Sequence, residues 1–388
     1  MSPTLPHGRT VLTGDEAAAD AALLARARVI GCYPITPQTV IVERLAELLA
    51  GRKDVEFANL ESEHSMFAYV IAAARAGVRT FTATSSQGLL YAHEQLHRAP
   101  RERIPLVAVN VNRALFAPWS LEPDLSDSLS QRDTGWIQLY CASVQEILDS
   151  ILCAYRIAET VMLPVLVCAE GFLLSHTSEV LDIPEQERVD AFLPEFRPPS
   201  DWVLDPDRPR LFSAVPARPD DYFEFQRHVA DAMDEARAVV KTVSSEFGAC
   251  FGREKVPALE VLGNPDAGTA LVAMGTIGDT AKELIETGDD LLLVRVHCYR
   301  PFPAAELSAV LARATHVAVI DRAAAFGSLG PLGSDVGALE LEHPNAVVNL
   351  VCGLGGAEVT PTTLRSALRQ ARGRSSRSVG PVYVQEAA

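Results

Sequence analysis

The sequence predicts an α/β protein with parallel sheets, on three observations. β-branched runs alternate with helical stretches through the first half of the chain, the alternation fails between about Val180 and Pro265, and it returns after Asp266. At roughly 100–200 residues per domain, 388 residues hold two or three compact units. In order, Gly14–Val29 (GDEAAADAALLARARV) is an Ala/Leu-rich helix whose Asp15 and Glu16 suit an N-terminal turn, and a short apolar stretch, VIGCYPITP, follows. Val40–Gly51 places apolar residues at helical spacing and stops at glycine; Val55–His64 reads as strand then turn; Ser65–Gly77 is a helix again. VRTFTAT (78–84) and IPLVAVNVN (104–112) read as strands, and ILDSILCAYRIAETV (147–161) leads from a helix into LPVLVCAEG (163–171). Strands separated by helices have room for crossover connections, so the sheet is expected to be parallel and covered on both faces.

Residues 1–180 are thus expected to form the first domain. Residues 181–265 are proline-rich (Pro194, Pro198, Pro199, Pro206, Pro209, Pro216 and Pro219) and then carry one long helical stretch, Phe223–Phe247, which predicts an ordered connector with a helix. Residues 266–388 resume the alternation with TALVAMG, DTAKELIETG, LLLVRVHCY, AAELSAVLARA, HVAVIDR and AVVNLVCG, a second and smaller α/β domain. The basic, small-residue stretch RQARGRSSRSVG (369–380) is expected to be a mobile tail.

Composition narrows the function. Hydrophobic residues make up 48% and charged residues 22%, the balance of a globular chain and not a disordered one. Against 50 Asp and Glu stand 34 Lys and Arg, a net charge of −16 that repels phosphate backbones and anionic lipid alike, so neither nucleic acid nor a membrane surface is an expected partner. The longest apolar stretch, Val161–Leu174, is broken by Pro164 and Glu170 and falls short of a bilayer span, and the first residues lack the apolar segment of a signal peptide. A cytoplasmic location is expected. Seven scattered cysteines form no C-x-x-C, which predicts buried, reduced thiols and puts any electron-carrying cluster on another chain.

Several motifs admit both a chemical and an ordinary reading. His93-Glu94-Gln95-Leu96-His97 matches H-E-x-x-H, a zinc pattern, yet Pro100 closes the helix at once and Glu122, the next acid that could serve as a third ligand, lies in a loop-like segment; an ordinary helix with two histidines is the better reading. GSLGPLG (327–333) and GLGGAE (353–358) miss the dinucleotide spacing and read as tight turns. The turn GCYPITPQT (31–39) follows an apolar strand, and the carboxyl ends of parallel strands are where such folds bind ligands. At Glu61-Ser62-Glu63-His64 a strand meets an almost wholly apolar helix; Glu63 is either a helix N-terminal acid or a partly desolvated carboxyl able to share a proton. Arg113 ends the strand VNVN, where it can grip a carboxylate in bidentate fashion or merely pair with a neighbouring acid. Ser126–Trp136 (SDSLSQRDTGW) is a polar, hydroxyl-rich loop.

Taken in order, YPITP (33–37), ESEH (61–64), TATSSQG (82–88), VNRAL (111–115), SDS-x-SQRDTGW (126–136), EGF-x-x-SH (170–176), EFGACFGRE (246–254), RPFP (300–303) and DR-x-x-x-x-GS-x-G (321–330) resemble the alpha subunit of the 2-oxoacid:ferredoxin oxidoreductases, over nearly the whole chain. The resemblance implies a pyrimidine-type thiamine diphosphate-binding domain followed by a domain like the C-terminal one of transketolase. It implies that Glu63 bonds ring nitrogen N1′ of the cofactor's aminopyrimidine, so that the exocyclic nitrogen can take the proton from the thiazolium carbon. It gives Thr36 and Arg113 the substrate carboxylate, and Ser86 and Gln87 contacts to the cofactor. The Gly-Asp-Gly that opens the diphosphate and magnesium signature is absent from the chain, so the resemblance places that half on a beta subunit. Iron–sulfur clusters are implied for further subunits (gamma and a ferredoxin-like delta), with ferredoxin and coenzyme A as partners in oxidative decarboxylation. A non-redox thiamine carboligase, a non-catalytic scaffold subunit and a zinc peptidase using His93 and His97 are the alternative readings. The sequence departs from the usual pattern at Leu125, at Ala323–Ala325 and at Leu329, where polar residues are commoner in relatives.

Overall fold

The structure, a computed structural model, describes residues 5–209, 215–216, 218–253, 257–341 and 346–385. The strands of the first half are β1 (Gly8–Thr13), β2 (Val29–Cys32), β3 (Glu56–Asn59), β4 (Thr80–Thr84), β5 (Val107–Asn112), β6 (Ile137–Tyr140), β7 (Val165–Glu170) and β8 (Ser178–Ile183). Those of the second half are β9 (Leu259–Gly263), β10 (Thr269–Ala273), β11 (Leu292–Val296), β12 (Cys298–Arg300), β13 (His316–Asp321), β14 (Ala346–Val351) and β15 (Val382–Tyr383).

The first sheet runs β12-β6-β7-β5-β4-β2-β3, with its six first-half strands parallel, as the helix-strand alternation requires. Strand β7 shows why its sequence is apolar throughout. Val165, Val167 and Ala169 enter one core and Leu166 and Cys168 the other, because successive side chains point to opposite faces and both faces are covered. On one face lies the helix Gly14–Leu24, opened by a capping box in which Glu16 N donates to Thr13 Oγ1 at 3.3 Å and Thr13 N to Glu16 Oε2 at 2.8 Å. Its alanines let it approach the helix Val144–Val161 closely. The opposite face is covered by the helix Glu63–Arg75 through Met66, Phe67 and Val70.

The segment 181–265 is ordered where described. Its helix Pro219–Phe251 has 33 residues, about 50 Å at 1.5 Å per residue. The C-terminal half of that helix packs Val240, Val243, Phe247 and Phe251 against the first domain, with Phe192 edge-on to Phe247 at 5.6 Å. The second sheet, β15-β14-β13-β10-β11-β9, is parallel except where β9 pairs antiparallel with β11.

Two expectations need correction. The run LLLVRVHCY is two strands, not one: β11 stays in the second sheet, whereas β12 crosses over and pairs antiparallel with β6 of the first. The stretch 369–380 is no loose tail. Its first residues finish the helix Pro361–Arg372, Arg377 donates to the carbonyls of Gly337 and Leu339, and β15 then extends the second sheet beside β14. Composition reports charge and small residues there but cannot show main-chain pairing.

A carboxylate also joins the two halves. Glu170, at the carboxyl end of β7 and 1% exposed, accepts from Thr276 N at 3.0 Å and Thr276 Oγ1 at 2.5 Å and pairs with Arg322. Gly275, at φ +58°, is required here, since a Cβ would collide with Glu170 Oε1.

Candidate active site

The carboxyl ends of β2, β3, β4 and β5 come together at one edge of the first sheet, and each delivers a residue singled out from sequence. After β2, Tyr33–Gln38 turns with Gln38 N donating to Ile35 O at 2.8 Å; the Thr36–Pro37 peptide bond is cis and Thr36 lies exposed at the rim. After β3, Ser62 adopts an extended conformation and caps the next helix, its Oγ accepting from Ser65 N at 3.3 Å. Glu63 is thereby the first residue of that helix, and its carboxyl is turned inward against Gly88. A Cβ at position 88 would stand 2.5 Å from Glu63 Oε1 and 2.6 Å from Thr84 Oγ1, so the glycine makes the space the acid occupies. Burial raises the Glu63 pKa above its ordinary value, with its own backbone N–H opposing the shift.

After β4 the chain turns through Ser86, whose φ of +48° is a left-handed conformation that side chains seldom adopt. Ser86 is fully buried; its Oγ donates to Ala114 O at 2.9 Å and meets Gln87 Oε1 at 2.7 Å. After β5 comes Arg113, which donates from Nη1 to Thr36 O at 2.7 Å and from Nη2 to Gln87 Oε1 at 2.9 Å. Thr36, Ser86, Gln87 and Arg113 therefore form one bonded chain, with Glu63 adjoining it across Thr84 and Gly88. Burial lowers the Arg113 pKa from its ordinary value, and the Asp127 carboxylate opposes that. Trp119 lies 5.9 Å from the guanidinium and stacks on Phe116, both side chains exposed at the mouth of the site. The bond to Arg113 uses the main-chain carbonyl of Thr36 and leaves its hydroxyl out of this chain of contacts.

A group of unpartnered polar atoms gathers at this edge and makes it the candidate ligand site. Thr84 Oγ1, Ser85 Oγ, Gln87 Nε2 and Arg113 Nε are all buried with no hydrogen-bond partner, and buried polar groups are as a rule satisfied. They suit a polar heterocycle beside a carboxylate, and residues on this chain that could hold thiamine diphosphate's ring are Glu63, Ser86 and Gln87. Cys32, at the end of β2, is buried and its thiol is pushed up to about 12, so it stays protonated.

His93 and His97 lie elsewhere, on the helix His93–Arg101. Their rings meet edge-on at 4.7 Å, His93 Nδ1 bonds Gln131 Oε1 at 2.5 Å and His97 Nδ1 faces Arg101 Nη1 at 3.0 Å. Among the described residues no group of three or more His, Cys, Asp or Glu side chains is placed to hold a metal ion.

Sequence reasoning missed Asp127, Asn110 and Asn112. Asp127 is fully buried within the loop read only as polar, and both amides donate to it. A signal was present: asparagines two apart in a β-branched strand share one face, and a buried pair needs an acceptor. Burial lifts the Asp127 pKa to about 6 against the lowering effect of those amides and of Ser86 N.

Comparison with known proteins identifies the family. The profile of pyruvate flavodoxin/ferredoxin oxidoreductase, thiamine diphosphate-binding, matches residues 20–245, and that of pyruvate:ferredoxin oxidoreductase core domain II matches residues 267–364. The pyruvate synthase subunit PorA of Methanothermobacter thermautotrophicus is 43% identical over 369 residues, covering 93% of this chain and 94% of that one. The ketoisovalerate oxidoreductase subunit VorA of Pyrococcus horikoshii is 43% identical over 359 residues, 91% of each chain. In fold, the chain resembles a 2-oxoglutarate:ferredoxin oxidoreductase from Magnetococcus marinus with a TM-score of 0.73 at 18% identity, covering 95% of this chain and 66% of that longer one. A split-gene transketolase follows at a TM-score of 0.53 and 14% identity, covering 93% of this chain and 98% of that one. The chain therefore belongs to the alpha subunits of the 2-oxoacid:ferredoxin oxidoreductase family, and its residues 20–245 correspond to that family's thiamine diphosphate-binding domain.

Proposed function

We propose that this chain holds the substrate carboxylate and the cofactor's aminopyrimidine ring in a cytoplasmic, multi-subunit enzyme that oxidatively decarboxylates a pyruvate-like 2-oxoacid, with coenzyme A taking the acyl group and ferredoxin the electrons. The observation that carries the reading is the gathering of Glu63, Gln87 and Arg113 at one buried edge where Thr84 Oγ1, Ser85 Oγ, Gln87 Nε2 and Arg113 Nε have no partner. Relatives named for pyruvate and for ketoisovalerate support a 2-oxoacid with a carbon side chain. The PorA and VorA subunit names support an assembly of several chains. We assign the diphosphate and magnesium to a beta subunit, because Gly-Asp-Gly is absent here, and the iron–sulfur clusters to gamma- and delta-type subunits, because the cysteines of this chain stand apart.

Thiamine diphosphate, when bound, supplies a carbon nucleophile and an electron sink in its thiazolium ring. Glu63 would hold ring nitrogen N1′ of the bound cofactor, its carboxyl being the group on this chain able to share a proton there, and burial raises its pKa above the ordinary value. Arg113, anchored on Thr36 O and Gln87, would offer its guanidinium to the 2-oxoacid carboxylate and so orient the ketone.

Glu63→Gln in the complex purified with its natural partners tests the reading. The expected result is a fall in turnover of at least ~10²-fold, the usual scale for a proton-transfer group, with 2-oxoacid binding retained. Unchanged turnover would overturn it.

A further inference from the structure

We infer that Asp127 is a positioning residue that sets the substrate-holding arginine and the cofactor-side turn in register with one another; this rests on the roles proposed above for Arg113 and Ser86. Its carboxylate, fully buried, collects five N–H donors. Oδ2 accepts from Ser86 N at 3.0 Å, Asn110 Nδ2 at 2.9 Å and Arg113 N at 3.2 Å. Oδ1 accepts from Asn112 Nδ2 and from Ser128 N, each at 2.7 Å. Two of those donors are main-chain groups of the residues assigned to the site.

The arrangement explains two oddities. Ser86 has a left-handed φ without being glycine, and such a conformation persists only where surrounding contacts over-determine it. Here the contacts are Asp127 on its N–H and Ala114 O on its hydroxyl, and Ala114 is the residue after Arg113. Likewise β5, otherwise apolar, carries Asn110 and Asn112 on one buried face, which is intelligible only with an acceptor beneath them. One carboxylate thus ties the end of β4 to the end of β5. Gln87 Oε1 completes the loop by bridging Ser86 Oγ and Arg113 Nη2. Asparagine cannot substitute: each oxygen accepts at least two N–H groups, so an amide nitrogen in either place would face donors.

The test is a double-variant cycle on the complex with its natural partners, reading the Michaelis constant for pyruvate, thiamine diphosphate affinity by titration calorimetry, and melting temperature. Asp127→Asn is expected to raise both the pyruvate KM and the cofactor Kd about tenfold or more, as loss of hydrogen bonds to a charged group does. Combined with Arg113→Ala, it is expected to raise KM no further than Arg113→Ala alone, to within about twofold, because both changes act through one side chain. Effects that simply multiply would overturn the inference. So would a lowered melting temperature with KM and Kd unaltered in the folded complex, which is what a merely structural role predicts. If Arg113→Ala raises KM and Asp127→Asn does not, the inference alone fails; if Arg113→Ala leaves KM unchanged, the reading beneath it fails as well. Should Asp127→Asn not assemble, Asn112→Ser withdraws one donor and keeps the carboxylate. A KM raised a few-fold is then expected, and a wild-type KM would overturn the inference.

Discussion

Two buried aspartates gather N–H donors, Asp321 as the last residue of β13 and Asp127 on the helical turn Ser126–Leu129 beside the ends of β4 and β5, and only Asp127 borders the candidate site. Asp321, at the end of β13, accepts from Leu332 N at 2.9 Å, Gly333 N at 2.8 Å and Asn349 Nδ2 at 2.7 Å, while Asn349 Oδ1 accepts from Gly330 N at 2.8 Å. Asp127 gathers donors in the same manner, and burial pushes both carboxyls up to about 6. The surroundings differ. No buried side-chain atom of Asp321, Asn349 or Ser334 is left without a partner, whereas Thr84, Ser85, Gln87 and Arg113 around the first site each keep one buried atom unpartnered. A closed network finishes a domain; a network with atoms to spare is prepared for a ligand.

Gly88→Ala attacks the open network most directly. The added carbon would meet Glu63 Oε1 and Thr84 Oγ1, displacing the carboxyl, and a misplacement of about 1 Å at a reacting group can cost ~10²-fold in rate. Single-turnover kinetics should show that loss with the fold intact by circular dichroism; wild-type rates would mean that the carboxyl's position is unimportant. Asp321→Ala attacks the closed network. It strands three N–H donors, a cost of about 3 kcal/mol or more, so thermal melting should fall by several degrees while KM and kcat of the folded complex stay as they were. Altered KM would erase the distinction between the two aspartates.

The smallest effect concerns the junction between the domains. His297 is fully buried between β11 and β12 and its pKa is held down to about 4, from 6.5, chiefly by burial, with the Glu146 carboxylate opposing. The folded state therefore binds fewer protons than the unfolded one between those values, and stability is lost as pH falls through that window. His297→Gln should flatten the slope, which is at most about 1.4 kcal/mol per pH unit for one group. Melting temperatures of both proteins at pH 7.5 and pH 5 measure it; parallel curves would contradict the assignment.

Much of this was legible in one dimension. Apolar runs marked β2–β5, β7, β10, β11, β13 and β14 and the helix over Phe223–Phe247, and the ordered motifs named Glu63, Arg113 and Thr36 as candidates, which the fold brings to one edge. Asp127 was hidden because its donors lie up to 41 positions away in sequence, and no local pattern records a hydrogen bond across a sheet. The strand β12 was hidden by its brevity: three residues carry no period, and the run containing it looks like the tail of β11.

That short strand has a consequence for how the molecule can be cut. By covering the outer side of β6, it caps what would otherwise be a naked row of amides and carbonyls, an invitation to pair with any neighbouring polypeptide. A fragment stopped at residue 265 would keep every group of the open network yet lose its seal, and should clump in solution. The N-terminal half is a separate unit in sequence but not in folding practice.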